Sequence, residues 1–185
     1  MSGQPEPSPL TPRAAQIAAA ARELLEEQGH EALTMRALAD RLGIRAPSLY
    51  KHFPDKAAVE AALIERGLAE IGAILHAALE ERSGTGAIGA VLRAYRAAAL
   101  ARPNLYRLAT SGRLPRERLA PGLEEWAGTP FFLAAGEPYL AQALWSFAHG
   151  MVILELDRRF PAGSDLDRTW AEGARAFAAR RARET

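Results

Sequence analysis

A chain of 185 residues is long enough to bury a core of its own and needs neither a disulfide nor a metal to fold. It has no cysteine, which excludes disulfides, thiolate-bound metals, iron–sulfur clusters and a cysteine nucleophile, and fits a reducing, cytoplasmic setting. Lys+Arg number 23 and Asp+Glu 22, and the resulting net charge of +1 argues neither for nor against nucleic acid. No run of about 18 uncharged apolar residues occurs, so no membrane span is expected. Met1 to Pro12 lacks the basic start and apolar run of a secretory signal. Alanine occurs 40 times, a strong bias toward helix. Arginine occurs 21 times against two lysines, Lys51 and Lys56.

Residues 1–10 are rich in Pro, Ser and Gly without periodicity and read as a disordered tail. Thr11-Pro12 is a helix cap followed by proline at the first helical position, and Ile17, Ala21, Leu24 and Leu25 mark one face up to Gly29. Thr34 caps a second, short helix that carries Leu38 and Ala39 and ends at Gly43. A third runs from Ala46 to His52, with Pro47 tolerated in its first turn. Asp55 caps a long fourth helix, 55–82, whose apolar line is Ile64, Leu68, Ile71, Leu75 and Leu79. A turn at 83–86 leads to a fifth helix over 87–101, and Pro103 opens a short sixth. The prolines and glycines of 112–137 predict one or two short helices broken by loops. A long apolar helix follows over 138–159, and a last one over 165–182 starts at Ser164, which with Asp167 forms a capping box. No alternating strand pattern and no internal repeat is found. The expected fold is all-α, with about nine helices.

Residues 34–53 read TMRALADRLGIRAPSLYKHF, two short helices about a tight turn, the pattern of a helix-turn-helix. The close crossing needs a small side chain, which Ala39 supplies, and the turn needs left-handed backbone, which Gly43 supplies. Leu38, Leu49 and Phe53 read as core. The window from Arg36 to Lys56 holds Arg36, Arg41, Arg45, Lys51 and Lys56 against Asp40 and Asp55, a local charge of +3. Local cations are what phosphate binding needs.

The string Gly43-Ile44-Arg45-Ala46-Pro47-Ser48-Leu49-Tyr50-Lys51-His52-Phe53-Pro54-Asp55-Lys56 resembles the DNA-binding core of the tetracycline-repressor (TetR) family. There the pattern runs Gly-Val-x-x-x-(Ser/Thr)-Leu-Tyr-x-His-Phe-x-x-Lys. The resemblance implies a helix-turn-helix domain over 11–56 and a ligand-binding and dimerisation domain over 57–185. It implies that Thr34, Tyr50 and Lys56 meet phosphates and that the third helix lies in the major groove of a double-stranded operator. Arg45, Ser48, Lys51 and His52 are then the side chains that reach bases or phosphates, with Ala46 and Pro47 offering apolar contacts. His52 has a packed core histidine as its alternative reading.

Trp145-x-x-x-His149-Gly150, within the 138–159 helix, is similar to a pattern of one branch of these C-terminal domains. That helix is apolar on nearly all sides, which predicts burial on nearly all sides. With the stripe Leu166, Trp170 and Phe177 of the last helix, residues Trp145, Val152 and Leu156 are expected to form a homodimer interface. Tyr95, Leu105, Tyr106, Trp126, Phe131, Trp145 and His149 are candidate contacts for a small, mainly apolar effector, with Leu108, Phe132 and Met151 nearby. The implied function is a transcriptional regulator, by default a repressor, without cofactor, metal or membrane partner. No catalytic residues are assigned: the histidines are scattered, no Glu-x-x-His pair occurs, and Ser146 and His149 lack an acid and an oxyanion loop. The alternative is an all-α ligand-binding or hydrolytic protein that does not use its helix-turn-helix.

Overall fold

The computed structural model describes residues 3–81 and 86–182, so the turn expected at 83–86 lies mostly outside the described residues. Among these the chain is helical throughout: α1 Pro12–Gln28, α2 Met35–Arg41, α3 Ala46–Tyr50, α4 Lys56–Glu80, α5 Gly86–Ala101, α6 Pro103–Thr110, a 3-10 turn Arg116–Arg118, α7 Leu123–Ala135, α8 Pro138–Leu156 and α9 Leu166–Ala182. Contacts group these elements into two compact units. One holds the residues up to Glu70 together with Arg102–Leu123, and the other holds Ile71–Ala101 and the residues from Glu124 on. The helix α4 contributes its first fifteen residues to one unit and its remainder to the other.

In the first unit α1 packs against α2 and α6, and α2 against α3. The core is Ile17, Ala21, Leu24 and Leu25 of α1 with Leu33, Leu38, Ala39, Leu49, Phe53, Val59, Leu63 and Leu105. The α1 boundaries are local devices: Thr11 Oγ1 accepts from the Ala14 amide at 3.2 Å, and Gly29 turns the chain at φ 82°. The start of α6 has no such device of its own, since Arg102 gives no side-chain cap. Glu26 of α1 caps it instead, accepting from the Leu105 amide at 2.8 Å and the Asn104 amide at 3.3 Å. A carboxylate at a helix N-terminus also answers the helix dipole. Glu70 adds a second bolt, accepting from Arg22 of α1 and from Arg102.

The segment expected to be a disordered tail meets this unit at Ser8 and Leu10. Ser8 Oγ donates to Glu65 Oε1 at 2.8 Å, Arg66 donates to the Ser8 carbonyl, and Leu10 packs on the core. Glu65 is buried, and its second contact is the Ala120 amide at 2.7 Å. Composition missed this because the anchor is one buried carboxylate 57 residues away.

In the second unit α5 packs against α8 and α9, and these two against each other. Arg96 of α5 reaches Glu155 of α8 through Nε and Nη2 and Asp167 of α9 through Nη1. Trp170 Nε1 donates to the same Glu155 at 3.1 Å. The ring of Phe147 lies over Gly173, where an added Cβ would come within 2.1 Å of it. The last helix starts one residue later than expected. Asp165, not Ser164, caps it by accepting from the Arg168 amide at 2.9 Å, because Asp167 is engaged by Arg96.

The largest departure from expectation is α7, thirteen residues long and continuous through Pro130. Proline leaves the carbonyl four residues back without its helical donor. That carbonyl belongs to Trp126, and His76 Nε2 lies 3.0 Å from it. A carbonyl only accepts, so Nε2 carries the proton. The two rings stack with centroids 4.6 Å apart. Gly72, one turn earlier on α4, makes room: an added Cβ would lie 2.3 Å from Trp126 Cζ3 and 3.1 Å from the Ala127 Cα. Gly72→Ala is therefore expected to lower stability by about 1–3 kcal/mol through overpacking, despite the higher helix propensity of alanine. Urea unfolding followed by tryptophan fluorescence measures this, since Trp126, Trp145 and Trp170 all lie in the second unit.

Candidate nucleic-acid interface

The backbone of the helix-turn-helix follows from three residues. Thr34 is extended, and its Oγ1 accepts from the Ala37 amide at 3.1 Å, which starts α2. Gly43 has φ +63°, the left-handed turn that glycine adopts without cost. Ala39 is buried, and its carbonyl accepts from the Ile44 amide at 3.0 Å, which closes the turn. The helix α3 is shorter than expected: Lys51 and His52 lie in the turn that follows it. Phe53 precedes Pro54 and is thereby turned away from helical backbone.

Ala46 and Leu49 of α3 turn inward, and Leu49 is fully buried. Pro47, Ser48 and Tyr50 point out, followed by exposed Lys51 and His52 and preceded by exposed Arg45. Tyr50 keeps 51% of its surface, unusual for a large ring without a partner to cover it. His52 is exposed, which removes its core reading, and Ala46 is half-buried against the core, which limits its contact to an edge. Leu38 and Phe53 are core.

The cations of the window divide into two groups. Arg41 is committed to α1, bridging Glu27 at 2.7 Å and Glu23 at 3.1 Å, and these carboxylates raise its pKa further. Hydrogen bonding to Arg41 holds the Glu27 carboxyl below its ordinary range in turn. Arg36, Arg45 and Lys51 are exposed and make no ion pair among the described residues. Arg36, at the start of α2, belongs with the candidate site although the motif did not single it out; its charge next to Thr34 was the available signal. Lys56 sits between the two groups, with Nζ 3.3 Å from the His30 carbonyl and 3.3 Å from Glu60. Asp55 caps α4 by accepting from the Ala58 amide at 2.6 Å and also pairs with Arg118 at 3.1 Å. The Arg118 hydrogen bond, with that amide, holds its carboxyl below the ordinary range, so it is an anion at neutral pH.

The candidate effector residues do not come together in one unit. Leu105 and Tyr106 belong to the first, and Tyr95, Trp126, Phe131, Trp145 and His149 to the second. Leu105, Tyr106, Tyr95 and Phe131 are buried, the last two edge to face at 5.3 Å. Trp126 is held by His76 as described. Trp145 stacks on His149 at 5.9 Å and remains 48% exposed, while partial burial lowers the His149 pKa and favours the neutral ring at pH 7.

Within the single chain α8 is only partly buried. The helix buries Ala141, Leu144, Ala148, Met151 and Val152 and leaves Tyr139, Trp145 and Leu154 exposed. Val152 and Trp170 are buried within this one chain, so they are core and not interface. Phe177 packs on Phe147 at 5.6 Å. Leu156 and Leu166 are half-buried. Among the described residues no helix is long and apolar enough to cross a membrane.

An all-α chain whose short second helix of a buried two-helix pair presents Ser48 and Tyr50 outward, with Lys51 exposed just after it, is a helix-turn-helix protein of the kind that reads duplex DNA. Comparison with known proteins gives the family. The family described as bacterial regulatory proteins, tetR family, matches residues 17–63, and tetracyclin repressor-like, C-terminal domain, matches residues 88–177. A helix-turn-helix transcriptional regulator of Mycobacterium tuberculosis, itself uncharacterized, is 30% identical over 152 residues, 76% of this chain and 68% of that protein. The class A tetracycline repressor protein from transposon 1721 of Escherichia coli is 53% identical over 51 residues, 28% of this chain. The match spans only 24% of that repressor's length. A crystal structure of a TetR variant from Acinetobacter baumannii AYE in complex with minocycline superposes with a TM-score of 0.65 at 26% identity, covering 91% of this chain and 96% of that one. The chain belongs to the tetR family of bacterial regulatory proteins.

Proposed function

We propose that the chain is a sequence-specific transcriptional repressor that binds a palindromic duplex operator as a homodimer and is released by a small, mainly apolar effector. The observation that carries the reading is the exposed row Arg45, Ser48, Tyr50, Lys51 and His52, fixed from behind by Leu49 and Phe53. Arg36, Arg45 and Lys51 stand ready for phosphate or base edges, and the Thr34 hydroxyl keeps its proton for a phosphate while its oxygen caps α2. Two such modules fit half-sites about 34–36 Å apart, which requires a dimer. The exposed apolar residues of α8, Trp145 first, support dimerisation through that helix and α9. The Trp145-x-x-x-His149-Gly150 string, with its ring stack, supports placing the C-terminal domain in that branch of the family. Trp126, Trp145 and His149 are the effector candidates that retain accessible surface. The protein works in the cytoplasm without catalytic chemistry.

Selection of random duplex DNA with the purified chain tests this. A two-fold symmetric consensus is expected. A folded dimer that enriches nothing at low salt would leave the helix-turn-helix unused and turn the search to ligands or ester hydrolysis. On the selected duplex, Lys51→Ala and Lys56→Ala are each expected to reduce the slope of log affinity against log salt by about 1. Arg41→Ala is expected to leave the slope unchanged, because Glu23 and Glu27 already hold that charge. A lower slope for Arg41→Ala would move Arg41 into the interface.

A further inference from the structure

Within the first unit a cleft of about 400 Å³ opens between the loop after α1, the first turns of α4, the end of α6 and the segment that follows it. The function proposed above makes no use of it. Its volume lies in the range of small-molecule sites, about 300–1,000 Å³. Its lining includes the apolar residues Ala57, Ile64, Leu108 and Pro115 and the arginines Arg107, Arg113 and Arg118.

The charges around this cleft are unequally matched. Of its two carboxylates, Glu60 is already shared between His30 at 2.6 Å and Lys56 at 3.3 Å. Glu117 is exposed on the 3-10 turn. Arg118 is held by Asp55. Arg113 is exposed and has no ion partner among the described residues. A cation entering here would face three arginines, and a neutral apolar molecule would leave Arg113 unanswered. An anion with an apolar body satisfies both kinds of lining residue, and guanidinium groups bind carboxylates in a two-pronged geometry.

We propose that this cleft binds a small organic acid, its carboxylate on Arg113 and Arg118 and its body against Ile64 and Leu108, and that occupation weakens DNA binding. The second half rests on the DNA-binding reading; the site itself does not. The link is local. Arg118 neutralises Asp55, the neighbour of Lys56 in the chain, and Glu60 of the cleft wall pairs with Lys56 itself. A carboxylate that draws Arg118 to itself exposes the Asp55 charge and adds its own beside a residue assigned to phosphate. Both changes oppose a DNA phosphate at Lys56. The coupling is reciprocal, so duplex weakens the acid by the factor by which the acid weakens duplex.

The test is titration of the full chain with benzoate, 4-phenylbutyrate and decanoate, each beside its uncharged amide. It is repeated on Arg113→Glu and on Ser111→Trp, a change at an exposed position that fills the cleft. At least one acid is expected to bind about tenfold or more tighter than its amide, and both variants to lose that margin with melting temperatures unchanged. On the selected duplex, the acid is expected to raise the Kd of wild type and to leave that of Arg113→Glu where it was. Three outcomes overturn the site: no acid binding below about 1 mM, acid and amide binding alike, or an acid affinity that survives both variants. An acid that binds as expected without changing duplex affinity overturns the coupling alone. Absence of any duplex binding refutes the DNA reading while the titrations still decide the site.

Discussion

Leu49→Ala is expected to destabilise the first unit by about 2–5 kcal/mol, the range for truncating a fully buried leucine. It is also expected to abolish operator binding, although Leu49 touches no DNA in the proposed interface. The reason is the shortness of α3. Five residues cannot sustain a helix alone, so packing must supply its direction as well as its stability. Only Ala46 and Leu49 of α3 turn into the core, and the methyl of Ala46 holds little surface. The loss therefore falls on the element that carries Ser48 and Tyr50 and leads into Lys51. Urea unfolding followed by far-UV circular dichroism reads the effect, because no tryptophan lies in this unit. Tyr50→Phe is the counterpart: it keeps the packing, leaves the unfolding midpoint in place and lowers duplex affinity. A stability loss under about 1 kcal/mol for Leu49→Ala would show that the turn around Gly43, and not core packing, orients α3.

These contrasts show which parts of the molecule are written locally. Thr11, Gly29, Thr34, Gly43 and Asp55 each set a helix end through a bond or a dihedral angle within a few residues, and each is where the sequence places it. The outward row of α3 is legible for the same reason: Leu49 and Phe53 announce the inner side, and what alternates with them faces out. The misplacements share the opposite property. Arg41 looks like one more cation of the window until Glu23 and Glu27, on another helix, are found to hold it. Glu26 carries no signal of its role in the sequence, because the helix it caps begins 77 residues later. Val152 and Trp170 share helical stripes with residues that remain open, and a stripe alone does not say whether its partner is the same chain or a second copy. The effector site is illegible in the sequence for that reason too, since an aromatic ring at helical spacing fills a core and a pocket equally well.

His76→Ala is expected to cost the second unit about 2–4 kcal/mol, the sum of an unmet carbonyl and a lost ring stack. The carbonyl is that of Trp126, orphaned by Pro130 and answered by His76 Nε2. This assignment predicts more than a magnitude. Replacing Pro130 by alanine restores an amide four residues after Trp126, so the carbonyl acquires a helical donor and no longer depends on His76. In the Pro130→Ala background His76→Ala is expected to lose only the stacking part, about 0.5–1.5 kcal/mol. The difference between the two backgrounds, read as a double-mutant cycle from tryptophan-monitored urea unfolding, isolates the bond. Pro130→Ala alone is expected to be neutral to stabilising, because alanine both donates and favours helix. Equal costs of His76→Ala in the two backgrounds would refute the account and leave the continuity of α7 through Pro130 to the packing of Trp126 over Gly72. The cycle leaves the Gly72 contact untouched, since the Trp126 ring stacks on His76 and separately fills the space that Gly72 leaves.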